Sequence, residues 1–200
     1  MTRYIFISVE TTGLPTTSEI YLDFVAKGTI HHWDSSRLLQ ICWSLTDDKH
    51  IVFSKMYYTN PKICITQKTT EQTGLTQTAV SHAMDTKSVL TMFMNDLRTY
   101  DCDYIVGHNV DFDLSVIGSE LLRCGMTSEK RNLENKEYYC TMKSFPLFDT
   151  EQSRKLKDRY FFCFNVYPEL KHDATDEVNV CIKVFFKLQQ LSQLTGYQEQ

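Results

Sequence analysis

Three places along the chain carry side chains whose types and spacing could do chemistry. Glu10 ends an apolar run, Asp111 and Asp113 follow the turn Gly107-His108-Asn109, and His172, Asp173, Asp176 and Glu177 stand just ahead of the last apolar stretch. Carboxylates brought together from separate elements repel one another unless a cation joins them, and an oxygen-rich site suits Mg²⁺ or Mn²⁺. A histidine beside such a site can take a proton from water, because its ordinary pKa lies near neutrality. A plainer reading stands beside this one. Asp111, Asp113, Asp173, Asp176 and Glu177 are all placed where acids serve the positive end of a helix. Glu10 has no such role.

The elements that would position these groups are legible as periodicity. Tyr4 to Val9 is apolar and β-rich and runs into Glu10-Thr11-Thr12-Gly13, a buried strand entering a turn. Leu38 to Leu45 and Ile51 to Tyr58 bracket Asp47-Asp48-Lys49 and predict a hairpin, with residues 15–37 ahead of them as a long loop. Thr70 to Met84 reads as a short helix with turns. Val89, Leu90, Phe93, Met94 and Leu97 make one stripe of a helix over Thr86 to Tyr100. A short strand over Tyr104 to Val106 leads into a helix over Phe112 to Cys124 that stops at Gly125, and Glu177 to Leu194 forms the closing helix. Strands come first and then alternate with helices, which predicts an α/β fold with a mixed sheet covered by helices. With no repeat and no flexible linker in the composition, residues 1–200 read as a single domain.

The motifs also carry a resemblance. Phe6-Ile7-Ser8-Val9-Glu10-Thr11-Thr12-Gly13-Leu14 resembles the first motif of the DEDDh-type 3′→5′ exonucleases, which usually reads Asp-x-Glu-Thr-Thr-Gly-Leu. Gly107-His108-Asn109-Val110-Asp111-Phe112-Asp113 is similar to the second, and His172-Asp173-Ala174-Thr175-Asp176-Glu177-Val178 to the third, usually His-x-Ala-x-x-Asp. Tyr139 to Met142 resembles the linker before that third motif, and the likeness runs from about Tyr4 to Leu188. It implies an RNase H-like fold and a site for two Mg²⁺ or Mn²⁺ ions, or one retained ion, with Glu10, Asp113 and Glu177 as ligands. It further implies His172 as general base, Thr11, Thr12, Gly13 and Leu14 with His108 and Asn109 against the 3′-terminal nucleotide, and nucleoside 5′-monophosphates as products.

Two departures qualify it. The first-motif Asp, a metal-bridging ligand in the family, is Ser8 here, a neutral and weak donor; it counts as a ligand position only in that sense. Five residues after His172 stands Glu177 in place of Asp, with Asp176 as a possible substitute one residue early. The resemblance therefore implies a weakened exonuclease acting on single-stranded or frayed DNA or RNA 3′ ends, beside a polymerase or another replication or repair protein. The alternative is an inactive relative kept as a nucleic-acid-binding or protein-scaffolding module. A serine introduced to trap substrate would account for Ser8 but not for Glu177.

Composition sets the outer limits. The 200 residues are 42% hydrophobic and 23% charged, ordinary for a globular chain and unlike disorder or a disulfide mini-protein. No apolar run reaches the roughly 20 residues of a membrane helix, and the first residues lack a secretory signal, so an intracellular chain, cytoplasmic or nuclear, is expected. Net charge is −4, with no global field toward nucleic acid, although residues 129–159 hold eight basic against six acidic side chains, as fits a solvated surface or a phosphate-binding patch. Seven cysteines without a Cys-x-x-Cys pair read as reduced, buried thiols. His31, His32 and Trp33 are expected in local aromatic packing, His50 and His82 at the surface, and His108 orienting its turn.

Overall fold

The first strand is apolar on both of its faces, and the computed structural model, which describes residues 2–16, 28–143, 154–171 and 173–195, places it at the centre of the sheet. β1 (Arg3–Thr11) pairs antiparallel with β2 (Leu38–Asp47), which turns through Asp48 and Lys49 into β3 (His50–Asn60). Asp48 takes the left-handed conformation the tight turn needs, with φ of 50°. On its other side β1 pairs in parallel with β5 (Tyr104–Gly107), and β5 with β6 (Glu137–Cys140); β4 (Met84–Asp85) caps the far edge. The order is β4-β3-β2-β1-β5-β6, a mixed sheet.

Alternation along β1 decides what lies above and below. Ile5, Ile7 and Val9 enter a core with Trp43 and Leu45 of β2, Phe93 and Leu97 of α3 (Thr86–Thr99) and Leu114 and Ile117 of α4 (Val110–Arg123). Phe6 enters the opposite core, with Val178, Cys181, Ile182, Phe185 and Leu188 of α7 (Ala174–Thr195). Ser8 and Glu10 share the parity of Phe6, so they emerge on the α7 side where the packed part of the strand ends. Helices on both faces of a sheet that is parallel around β1 and β5 make this an α/β fold of the RNase H-like type.

Several expectations are corrected. Residues 30–33 of the supposed long loop form a short helical turn that buries Trp33 against Phe112; residues 17–27 of that loop lie outside the described residues. The single helix expected over Thr70 to Met84 is two, α1 (Gln67–Thr73) and α2 (Gln77–Ser81), each started by a threonine hydroxyl that accepts a first-turn amide. The first two residues of the segment Tyr139 to Met142 belong to β6, and α5 (Thr127–Glu134) and α6 (Leu156–Phe164) are elements the periodicity did not predict. The basic stretch is not one solvated surface: Arg159 is fully buried and donates to the Met142 carbonyl, Lys130 pairs with Glu134, and Lys143 with Asp111. Cys64 is exposed and Cys124 and Cys163 are half-buried, so only Cys42, Cys102, Cys140 and Cys181 are buried thiols. Among the described residues no helix is long and apolar enough to cross a membrane.

Candidate active site

Ser8 and Glu10 leave β1 on the α7 side, beside the first turns of α4 and α7. Asn109 sets the start of α4. It sits in the left-handed region, with φ of 67°, which a short polar side chain tolerates and which turns the chain sharply from β5 into the helix. Asp113 then falls in the first turn, 5% exposed, and its Oδ1 accepts the Val9 amide at 3.3 Å. Gln40 lies opposite Glu10 in the β1–β2 pairing, buried, and its Oε1 accepts the Ala174 amide at 3.1 Å, which pins the beginning of α7. Asp173 accepts the Thr175 amide at 2.7 Å and so satisfies one of that helix's open donors. Glu177 follows one turn on, and Ser8, 6% exposed, donates its hydroxyl to Glu177 Oε2 at 2.7 Å.

The charges show what these groups do to one another. Burial and then the charges of Glu177 and Asp173 push the Glu10 carboxyl up to about 8. Burial, with Glu177, Glu10 and Asp111 nearby, holds Asp113 well above the ordinary range, although the Val9 amide works against it. Acids on three separate elements therefore lie in one field and resist ionising together. Among the described residues no three His, Cys, Asp or Glu side chains are drawn close enough to form a finished cage for an ion.

The remaining sequence candidates sort themselves. Asp176 does not feature among the charges that raise Glu10 or Asp113; its carboxylate accepts the Lys171 amide at 3.3 Å. Asp111 is buried and receives the Lys143 ammonium at 2.5 Å, an ion pair that fixes the turn. His108 donates from Nε2 to the Arg154 carbonyl at 2.7 Å, which leaves Nδ1 to accept the Thr141 hydroxyl at 2.9 Å. Burial pushes its pKa down to about 4, so it stays neutral and braces the turn. Thr11 donates to the Gly13 carbonyl and Thr12 to that of Ser35, while Leu14 stands 71% exposed at the rim. Both threonine hydroxyls are thus engaged within the loop, which leaves Leu14 as its outward apolar group. His172 lies outside the described residues.

One contributor, Gln40, carries no mark as a site residue in the sequence reading, and Asp173 carries one only as part of an acidic cluster. Gln40 is a lone amide in the apolar run Leu38-Leu39-Gln40-Ile41-Cys42-Trp43, and that polar interruption was the available signal. Asp173 was noted in the acidic cluster but not as a neighbour of Glu10. Gly107 is a third constraint: a Cβ there would come within 3.0 Å of Val110 Cβ and 3.1 Å of Asp113 Oδ2. Gly107→Ala is expected to cost about 1–3 kcal/mol, seen as a lower midpoint in denaturant, and to displace Asp113 from the other acids.

This architecture has known counterparts. The exonuclease family model (RNase_T) matches residues 5–185. The chain is 24% identical over 194 residues, 97% of its length, to the PolC-type DNA polymerase III of Caldanaerobacter subterraneus subsp. tengcongensis, and spans 12% of that much longer protein. Among solved structures it is similar to exonuclease X in complex with 5′-overhanging duplex DNA (16% identity, TM-score 0.59, 98% of this chain and 94% of that one). It is similar too to the nuclease domain of 3′hExo, a DEDDh family member bound to rAMP (12% identity, TM-score 0.61, 94% and 92%). With nine-tenths of its length covered by that model, the chain belongs to the exonuclease family.

Proposed function

We propose that the chain is a metal-dependent 3′→5′ exonuclease with a weakened site, acting on single-stranded or frayed DNA or RNA 3′ ends and releasing nucleoside 5′-monophosphates. The observation that carries this reading is the shared field of Glu10, Asp113 and Glu177: burial and the Glu177 charge raise the Glu10 and Asp113 carboxyls, as fits hard oxygen ligands without their cation. The donor chemistry fits Mg²⁺ or Mn²⁺, with those three carboxylates as holders. A bound divalent ion supplies Lewis acidity at the scissile phosphate and an acidified water. The protein's own groups do the rest. Leu14, on a loop tied to Ser35 and Arg37, offers an apolar face to the terminal base, and the Thr11–Gly13 backbone lines the approach. His172, by its place in the third motif, takes the proton from the attacking water. A polymerase or another replication protein is the expected setting, in keeping with the much longer relative the chain resembles.

Ser8 is what weakens the site. A hydroxyl cannot supply the charge of a bridging carboxylate, and here it donates to a Glu177 oxygen that a cation would need. That hydrogen bond also favours a second reading, an inactive module that binds nucleic acid or a protein. Degradation of a 5′-labelled oligonucleotide in Mn²⁺ separates the two. Slow release of mononucleotides that disappears in Glu10→Ala is expected; activity that survives Glu10→Ala overturns the site, and its absence in every variant leaves the module.

A further inference from the structure

A cavity of about 640 Å³ opens beside Glu177, lined by His108, Arg154, Lys155, Lys157 and Pro168 among others. Three of its lining side chains are cationic and one is acidic, in a chain whose net charge is −4. Of the eight basic residues between 129 and 159, Arg159 is buried and Lys130 and Lys143 are paired with acids. Arg154, Lys155 and Lys157 are exposed and gather at this opening.

The cations lead onto an aromatic surface. Lys157 and Phe161 are four apart on α6, hence on one face and about 6 Å apart along the axis. Phe161 stacks on Tyr167 with ring centroids 4.5 Å apart and 21° between planes. Tyr167 is 59% exposed, Phe161 and Phe162 are exposed beside it, and Pro168 next in sequence is back in the cavity wall. A preformed aromatic pair at the mouth of a cationic cleft suits a strand whose backbone is anionic and whose bases have π faces. Lysine is depleted at the centre of protein–protein interfaces, so the interleaving of lysines and rings favours nucleic acid as the occupant.

We propose that the cavity and α6 form an extended single-strand binding track: Arg154, Lys155 and Lys157 hold backbone phosphates inward of the 3′ end, and Phe161 with Tyr167 stacks a base beyond them. The inference rests on the exonuclease reading for the position of the 3′ terminus and extends its substrate from a terminal nucleotide to a strand of several. The test is fluorescence anisotropy in Mn²⁺ with oligothymidylates of about 3 and about 12 nucleotides, protected by phosphorothioate at the 3′ linkage. The longer strand is expected to bind at least about tenfold more tightly, and Phe161→Ala with Tyr167→Ala to abolish that advantage without changing the melting temperature. Lys155→Glu with Lys157→Glu is expected to reduce the slope of log K against log salt by about 1–2.

Equal binding of the two lengths, or a length advantage that survives both double variants, overturns the track. If the short strand binds and Ser8→Asp cuts unprotected DNA while length has no effect, the track alone fails and the exonuclease reading stands. If neither strand binds and Ser8→Asp cuts nothing, both fail. Loss of self-association in Phe161→Ala with oligonucleotide binding intact overturns the track and assigns the surface to a protein contact.

Discussion

Ser8→Asp is expected to raise the rate of oligonucleotide degradation in Mn²⁺ by about 10²–10⁴, the range for restoring an interaction made mainly in the transition state, each 1.36 kcal/mol being about tenfold. The hydroxyl now sits 2.7 Å from Glu177 Oε2 as a donor. An aspartate there brings a second anion against Glu177 and withdraws that donor, so the substitution carries a cost of its own. In chelator the variant is expected to be less stable than the parent by about 1–3 kcal/mol, since a partly buried charge is left without a counter-ion. In Mn²⁺ the order reverses, because the same carboxylate now binds the cation, and ligand binding to the native state adds stability. Thermal melting with and without metal, beside the cleavage assay, reads both effects. A variant that gains neither activity nor metal-dependent stability puts the module reading in place of the enzyme.

The second large effect is on stability against pH in chelator, and its sign is unusual for carboxyl groups. Glu10 is pushed up to about 8 and Asp113 well above its ordinary value, so the native chain holds protons that the unfolded chain releases near pH 4–4.5. Their contribution is greatest in acid and is lost as pH rises toward about 8. His108 acts oppositely: held down to about 4, it is neutral in the native state while the unfolded chain protonates it below 6.5, so its contribution falls as pH drops through that range. Between about pH 6.5 and 8 His108 no longer contributes and the effect of the carboxyls remains. Unfolding free energy from urea titrations is expected to fall there by on the order of 2 kcal/mol, discounted because Glu10 is only partly buried. Glu10→Gln flattens the slope and saturating Mn²⁺ removes most of it. Stability that rises over this interval, with Asp113 intact, would show that the acids do not share a field.

The strands and helices that could be read from sequence are those whose apolar faces meet the sheet. β1, the hairpin, α3, α4 and α7 each have a periodicity imposed by burial, and Gly125, with φ of 72°, marks the end of α4 as a glycine there should. α6 was illegible for the converse reason: Phe161, Phe162 and Phe164 face solvent, so its apolar pattern describes a surface. β6 is four residues on a sheet edge, half of them exposed, too short for alternation to register. In the candidate site, the motifs pointed to Glu10, Asp113 and Glu177, which the fold brings into one electrostatic field. Their spacing could not show that Asp176 turns back to the Lys171 amide, nor that Gln40 fastens α7 from the neighbouring strand, because both depend on side-chain partners brought together by the tertiary fold.

The parallel pairing of β1 with β5 has a consequence for how the molecule is made. Tyr4 pairs with Tyr104 and Phe6 with Val106, about a hundred residues on, and Phe6 is covered only when Phe185 of α7 arrives. A ribosome adding about 5–20 residues per second therefore leaves the first strand waiting for about 10–40 s, sticky and half paired, until α7 has emerged. High contact order of this kind slows the search, since each distant closure carries its entropic cost before any burial rewards it. Nascent chains stalled before α7 should accordingly be protease-sensitive throughout β1, whereas chains stalled after α7 has left the ribosome should not.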